Sequence, residues 1–409
     1  MEDGTETNNY ITGNLGVFIR RSSALLKSDQ KPGIYWTATP TNFWRDNVAI
    51  HSTAFGFWFE LAANTDEGFC PQGETLGEFY NMTFSQNNGI GLRIYPNWVP
   101  VKNPCQGNSN PNPQYLYNLL SYRNNGNGMF GKHHGSIHHI NAIFIENSGH
   151  DISIVHLDNV NYDQNPIFQN TLFIGSLNPD FQENTNLYKY GIYGPQSEYF
   201  YVKDSIFLNY GNSGAITGCN ECLVGSEMNQ GGFTTRYENI TFINTILRLV
   251  WSETKKEIIW DIDGSITGIP DSMITRAYNY LHYIPECTLL LPETVYSDSI
   301  TCGNKNSSIR IRRMQIDNVS PSQLSYTDIR IFTTVGNSEF YFLPLDTYGW
   351  VFPVITGNNH TYRLEWTDSG ISAYTLRYTY SREAYLLESV RSNTSKWDER
   401  VQLDYRPNK

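Results

Sequence analysis

Four imidazoles fall close together, at His133, His134, His138 and His139. Such a group could ligate zinc or copper, or supply a general base whose pKa lies near neutrality. Asp151, Asp158 and Asp163 follow within one repeat of the chain. Carboxylates gathered on one face beside imidazoles would suit the acid–base cleavage of a polysaccharide. His134, His138 and Asp158 are the catalytic candidates on this reading. Strand geometry restrains it. Adjacent strand residues face opposite sides, and positions four apart on one strand lie roughly 13 Å from each other. Only a corner at Gly135-Ser136 would bring His134 and His138 together; otherwise the histidines face solvent or stack as a ladder.

A second pattern is Trp260-Asp261-Ile262-Asp263-Gly264-Ser265-Ile266-Thr267-Gly268. Carboxylates two apart share a strand face, so Asp261 and Asp263 could hold Ca²⁺, the one cofactor the sequence suggests. The complete Asp-x-Asp-x-Asp-Gly loop is absent, and the preferred reading is a β-turn. In it Asp263 bonds its own backbone and Gly264 takes a positive φ. Cys219-x-x-Cys222 is half of a zinc or redox motif, but no second copy exists to complete four ligands. A structural disulfide is the expectation there. No Gly-x-Ser-x-Gly, Walker or His-Glu-x-x-His motif occurs.

The elements that must carry these residues are strands. Residues 34–61 hold Trp36, Trp44 and Trp58 among alternating apolar, asparagine and glycine positions with no helical period. Between residues 78 and 245 one unit recurs: a polar residue, alternating apolar positions, then a corner. Its Asn or Asp marker stands at Asn81, Asn118, Asn141, Asn170, Asp204 and Asn239, with steps between 23 and 37 residues. That period belongs to stacked coils, none of which can bury an apolar face alone. Phe, Ile and Leu would face inward from each coil, and asparagines would turn the corners and stack as amide ladders. Residues 103–114, rich in proline and asparagine, form an excursion. Beyond Gly268 the pattern predicts a helix over Ser272–His282 and then a cysteine-flanked loop. From Ile309 longer alternating stretches, such as Asp328–Val335 and His360–Trp366, predict an antiparallel β-sandwich that caps the solenoid's edge. The expected domains are thus a parallel β-helix over 1–268, a connector over 269–308 and a sandwich over 309–409.

The net charge of −11 argues against nucleic acid, which calls for a basic face. With 17% charged and 14% aromatic residues the chain is no disordered tail. No apolar run approaches the ~20 residues of a membrane span. Sequons at Asn81, Asn239, Asn306, Asn318, Asn359 and Asn393 and an even count of six cysteines suggest a secreted protein. The acidic opening lacks the regions of a signal peptide, so residue 1 is read as lying inside a longer polypeptide.

Several of these stretches resemble the fibrocystin and fibrocystin-L family. An aromatic–Trp, a Thr-x-Pro-x-Asn, an Arg-x-Asn and a Gly-Phe-Trp follow in the family's order through residues 35–58. Glu2-Asp3-Gly4-Thr5-Glu6 is similar to an internal segment of those proteins. Asp261-x-Asp263-Gly264-Ser265-Ile266-Thr267-Gly268 resembles a motif they share with cell-surface hyaluronidases, with Ile266 at a leucine position. The resemblance covers roughly residues 1–305 and extends more faintly to Gly349–Pro353 and Tyr362–Trp366. It implies a right-handed parallel β-helix within a large extracellular, cell-surface or ciliary protein. It also implies a disulfide between Cys287 and Cys302, after which Cys70 and Cys105 would tie down the excursion. The family's preceding G8 domain is absent from this chain, and no aligned residue carries over a hyaluronidase activity.

The expected function is therefore a non-enzymatic, glycosylated adhesion or coat module, whose partners are extracellular proteins or glycans in a homo- or hetero-assembly. The alternative is a glycan depolymerase or polysaccharide binder built around the histidines.

Overall fold

Strands one repeat apart lie side by side and parallel in the computed structural model, coil upon coil. The structure describes residues 3–23, 30–106, 109–157, 165–176, 190–195, 200–211, 214–217, 233–251, 257–277 and 287–304, with short strands between 310 and 402. The first coil comprises β1 (Tyr10–Thr12), β2 (Leu15–Val17) and β3 (Gly33–Thr37), and the second β4 (Phe43–Arg45), β5 (Val48–Ile50) and β6 (Phe55–Phe59). The third runs through β7 (Glu78–Tyr80), β8 (Thr83–Ser85) and β9 (Leu92–Trp98). The fourth holds β10 (Gln114–Tyr117), β11 (Leu120–Tyr122) and β12 (Met129–His134). Next come β13 (Ile137–Ile140), β14 (Ile143–Ile145) and β15 (Ile152–Leu157), then β16 (Ile167–Gln169), β17 (Leu172–Ile174) and β18 (Ile192–Tyr193). Finally β19 (Tyr201–Leu208) and β20 (Ile216–Thr217) are followed by β21 (Phe233–Ile243). Each coil has three sides, and each side continues as a sheet through the stack. This is a parallel β-helix.

The corner residues explain why the chain turns where it does. Asp46, Asn81, Asn118, Asn141, Asn170, Asp204 and Asn239 all have φ between 51° and 56°. Asn and Asp tolerate this left-handed region best among residues with a Cβ. Each ends the first strand of its coil; the next residue points inward, and the second strand begins. The second corner uses the same backbone state at His51, Gln86, Arg123, Glu146, Asn209 and Asn244.

Side chains stack in columns because neighbouring coils keep their register, apart from one shift in β12 after Gly131. On the second side Phe144, Phe173 and Phe207 lie one above the next, with centroids 5.7 and 4.6 Å apart and nearly parallel planes. Phe57, Leu92, Met129, Ile152, Ile192 and Ile216 form the column of the third side. All six are buried. Each apolar side chain so enclosed contributes about 1.5–3 kcal/mol relative to exposure.

A polar column runs inside this core. Asn87 donates to Asn124 through its backbone N–H (3.1 Å) and its side chain (2.9 Å). Asn124 does the same to Asn147 at 3.2 and 2.9 Å, and Asn147 donates to Asp151 at 2.9 Å. The Tyr210 hydroxyl closes the chain on the other oxygen of Asp151. Buried amides so satisfied hold the coils in register without leaving orphan donors.

The parallel pairing of the described residues reaches Ile216 opposite Leu249. Among the described residues, Trp251 and residues 257–268 group with a second compact unit. There β22 (Glu257–Asp261) pairs antiparallel with β23 (Ser272–Arg276). The helix expected at Ser272–His282 is thereby corrected. Ser272–Arg276 is hydrogen-bonded between two antiparallel neighbours, and this tertiary pairing overrides a weak helical propensity. Residues 278–282 lie outside the described residues. Among the described residues, helix is confined to a 3₁₀ turn at Pro71–Gly73 and four residues at Glu293–Tyr296. Farther on, antiparallel strands occur at Arg310–Asp317, Thr361–Trp366 and Arg400–Gln402, with a hairpin of Ala373–Tyr380 and Glu383–Arg391. Asp328–Val335 lies outside the described residues.

Cys70 and Cys105 form a disulfide, which joins the loop after β6 to the proline-rich excursion across a separation of 35 residues. Loop closure of that length is worth about 4 kcal/mol in the chain-entropy model. The ladder yields a sharper expectation. Asn124→Ala removes the acceptor of the Asn87 backbone N–H and leaves the Asn87 amide only its longer bond to the Ala49 carbonyl, and should destabilise the β-helix by about 2–4 kcal/mol. Asn125→Ala, which removes an exposed amide pair with Asn88, should cost under about 1 kcal/mol. Urea unfolding of the two variants, followed by tryptophan fluorescence, checks the difference.

Candidate functional site

The histidine cluster straddles a corner of the solenoid. His133 and His134 end β12, Gly135 and Ser136 turn the chain, and His138 and His139 occupy β13. Alternation then sorts the four. Gln114, Leu116, Ile137 and His139 point inward along neighbouring strands, whereas Tyr115 and His138 point outward. A register shift in β12 between Gly131 and His133 leaves His133 outward and turns His134 into the lumen. The pair that the corner brings within hydrogen-bonding distance is His134 with His139, and the charge of His138 reaches both rings. The Nε2 atoms of His134 and His139 are 3.4 Å apart, and both side chains are fully buried.

Hydrogen bonding settles the tautomers by elimination. His134 Nδ1 lies 3.0 Å from the Gly135 carbonyl, which only accepts, so Nδ1 carries the proton. In a neutral ring Nε2 is then the acceptor, and His139 Nε2 donates to it. His139 Nδ1 is left as a buried acceptor without a hydrogen-bond partner. Both rings are neutral because burial disfavours the imidazolium. It pulls His134 down to about 4 and His139 well below the usual range. The His139 ring lies flat on Phe168, with centroids 4.4 Å apart. The two imidazoles are packed like core aromatics.

His138 stands edge-on to Tyr115 at 4.8 Å, and burial holds it at about 4 as well. His133 stacks on His156, one coil away, at 4.7 Å. That is a ladder of outward histidines. Asp151 is buried, and desolvation raises its carboxyl to about 7. Its oxygens are taken by Asn147 and Tyr210, so it closes the amide column and does not face the histidines' outer side. Asp158 and Asp163 lie outside the described residues. Among the described residues no group of three or more His, Cys, Asp or Glu side chains is placed to hold a metal ion.

Asp261 and Asp263 build a turn. The buried Asp261 carboxylate accepts the backbone N–H of Ile266 and Thr267, at 3.2 and 2.8 Å, and the Thr267 hydroxyl at 2.8 Å. Asp263 accepts the Ser265 N–H at 3.1 Å, and Gly264 has φ +81°. A Cβ at Gly264 would meet the Pro270 nitrogen at 2.8 Å, so glycine is required for space as well as for φ. Backbone N–H groups thus donate to both oxygens of Asp261 and to Oδ1 of Asp263.

The backbone pairing sets Cys287 opposite Cys302. Cys219 and Cys222 lie outside the described residues, as do the sequons at Asn306, Asn318, Asn359 and Asn393. Asn81 and Asn239 are exposed corner residues whose amides donate to Asp46 and Asp204, at 2.6 and 2.9 Å.

One arrangement escapes sequence reasoning altogether. On the outer face of the third side, the Arg93 guanidinium lies 4.6 Å from the Phe55 ring, 4.6 Å from Trp58 and 4.3 Å from Tyr95. The Lys132 ammonium lies 5.3 Å from the same Tyr95 ring. A signal exists, because Trp58 and Arg93 occupy equivalent outward positions of consecutive coils. Finding it requires the third-side register, which the first-corner asparagines do not provide.

The buried imidazoles predict an acid sensitivity. In the unfolded chain they protonate near 6.5, whereas in the fold His134 and His138 resist protonation down to about 4. Stability is therefore lost as pH falls from about 6.5 towards 4. Asp151 acts oppositely in this window, since its raised pKa keeps it protonated when folded. Three imidazoles outweigh one carboxyl. The double variant His134→Leu/His139→Phe should flatten the slope of unfolding free energy against pH by about two protons. Urea midpoints between pH 7 and 4.5 measure it.

A family model for the CEMIP beta-helix matches residues 1–91. Fibrocystin-L of Mus musculus is 24% identical over 421 aligned residues, which cover 95% of this chain and 9% of that protein. Fibrocystin-L of Homo sapiens is 22% identical with the same coverage. Fibrocystin of Canis lupus familiaris is 23% identical over 90% of this chain and 8% of its own length. The chain thus spans less than a tenth of the relatives it matches. Along nearly its whole length the chain is similar to fibrocystin-L and fibrocystin, and its residues 1–91 match the family model of the CEMIP beta-helix.

Proposed function

We propose that this chain is a non-enzymatic structural module of a larger extracellular, cell-surface or ciliary protein, a right-handed β-helical rod that holds binding faces at fixed spacing. The observation that carries the reading is the fate of the polar groups. His134, His139 and Asp151, the described residues best suited to acid–base work, are spent on packing and on register inside the solenoid. The outward faces repeat every ~4.8 Å from coil to coil, as a scaffold requires. The parallel stack from β1 to β21 rises about 35 Å by the same spacing. The carboxy-terminal strands are read as a separate antiparallel sandwich. The exposed corner sequons Asn81 and Asn239 would carry glycans on the rod's surface, which suits an extracellular location.

The test is a panel of polysaccharides, hyaluronan included, incubated with the folded chain and assayed for new reducing ends or unsaturated products. No release above a heat-denatured control is expected. Release that is lost in Asp158→Ala or His138→Ala, with folding intact by circular dichroism, would establish the depolymerase instead.

A further inference from the structure

The Arg93 cluster has a chemistry that the rod itself does not need. Trp36, Trp58 and Arg93 occupy equivalent outward positions of three consecutive coils. Phe130 stands next in the row, opposite Arg93. Trp58 is fixed by an Nε1 hydrogen bond to the Tyr95 carbonyl at 3.3 Å. The rings therefore form a preset frame around the guanidinium.

Within that frame the cations lack anions. Among the described residues, neither Arg93 nor Lys132 makes a hydrogen bond or ion pair with a carboxylate. Contrast Arg45 and Arg123, which pair with Glu78 and Glu146 one coil away, at 2.5 and 2.8 Å. Glu60 is the carboxylate whose charge reaches Arg93, but it accepts from Trp36 Nε1 at 2.9 Å. In a chain of net charge −11, two cations are kept together on one aromatic face with their donors unspent. Half-burial also disfavours the charged form of Arg93, so an arriving anion would relieve a desolvation cost.

We propose that this face is a docking site for a segment of a partner protein that presents one Asp or Glu among apolar residues. The carboxylate takes the guanidinium fork of Arg93, with Lys132 beside it, while the apolar neighbours lie on Trp58, Tyr95 and Phe130. A planar fork matched to a carboxylate gives two parallel charge-assisted hydrogen bonds. Trp, Tyr and Arg are also the residues that concentrate binding energy at protein interfaces. A polyanionic glycan would need cations repeated along the rungs. Among the described strands of this side, cations stand in β9 and β12, two neighbouring coils, so the site accepts a single anion. The proposal rests on the reading of the chain as an assembly module. Its test reads binding alone, so its failure leaves the outcome of the cleavage assay untouched.

A random dodecapeptide display library is panned on the whole immobilised chain, and enriched peptides are synthesised and titrated by tryptophan fluorescence. Enriched sequences should carry Asp or Glu flanked by apolar residues. Arg93→Gln should weaken them at least about tenfold and Lys132→Gln about two- to threefold. Both variants should keep the wild-type melting profile. Replacing the peptide's acid by its amide should reproduce the Arg93→Gln loss. The proposal is overturned if no acidic peptide is enriched, or if enriched peptides bind Arg93→Gln as tightly as wild type. It is equally overturned if heparin or hyaluronan binds in an Arg93-dependent way while acidic peptides do not.

Discussion

The constraint on which this structure depends is a corner that an L-residue adopts reluctantly. Each coil must leave its first strand through one left-handed residue, and the chain places Asn or Asp there seven times in the described solenoid. With the corner fixed, the next residue points inward and the second strand starts in register with the coil below. Backbone hydrogen bonds between coils then follow one after another, each contributing a net 0.5–1.5 kcal/mol by the usual order of magnitude. A one-residue slip at any corner would turn the apolar face of the following strand to solvent. The corners therefore govern the register, and the register governs which side chains meet.

The interior is a mixture made workable by satisfaction of its polar groups. Phenylalanines stack along the second side, yet Asn87, Asn124, Asn147 and Asp151 lie in the same interior, all buried. An enclosed amide with no partner costs more than a paired one contributes, so these residues act as a unit. The same logic governs His134 and His139, which lie in the lumen and exchange a hydrogen bond while remaining uncharged. Their chemistry is that of small aromatic rings with one polar edge. The groups that stay available for partners lie outside, where Arg93 and Lys132 are framed by rings.

Much of this is legible in the residues. The markers at Asn81, Asn118, Asn141, Asn170, Asp204 and Asn239 each prove to be a left-handed corner, because Asn and Asp are chemically distinctive there. The second corner is not legible, since Gln86, Arg123 and Glu146 hold the same backbone state without any preference that composition would reveal. That gap carries over to the histidines. Without the second corner and the shift near Gly131, alternation cannot be counted through β12, so sequence reasoning does not find the contact of His134 with His139. Ser272–Arg276 reads as helix for a related reason: its strand is specified by partners distant in the chain. The Arg93 frame is hidden likewise, since its rings come from strands whose alignment no local pattern encodes.

The most direct test of the account is covalent. Leu120 and Ile143 are opposite each other on adjacent parallel strands, on the outward side of β11 and β14. Parallel neighbours lie ~4.8 Å apart, within disulfide reach. The account predicts that the Leu120→Cys/Ile143→Cys protein oxidises to that crosslink, identified by peptide mass spectrometry. Leu120→Cys/Ile145→Cys, two residues out of register, should not crosslink. Equal yields from the two pairs, or none from the first with the fold retained, would contradict a solenoid held in register by its corners.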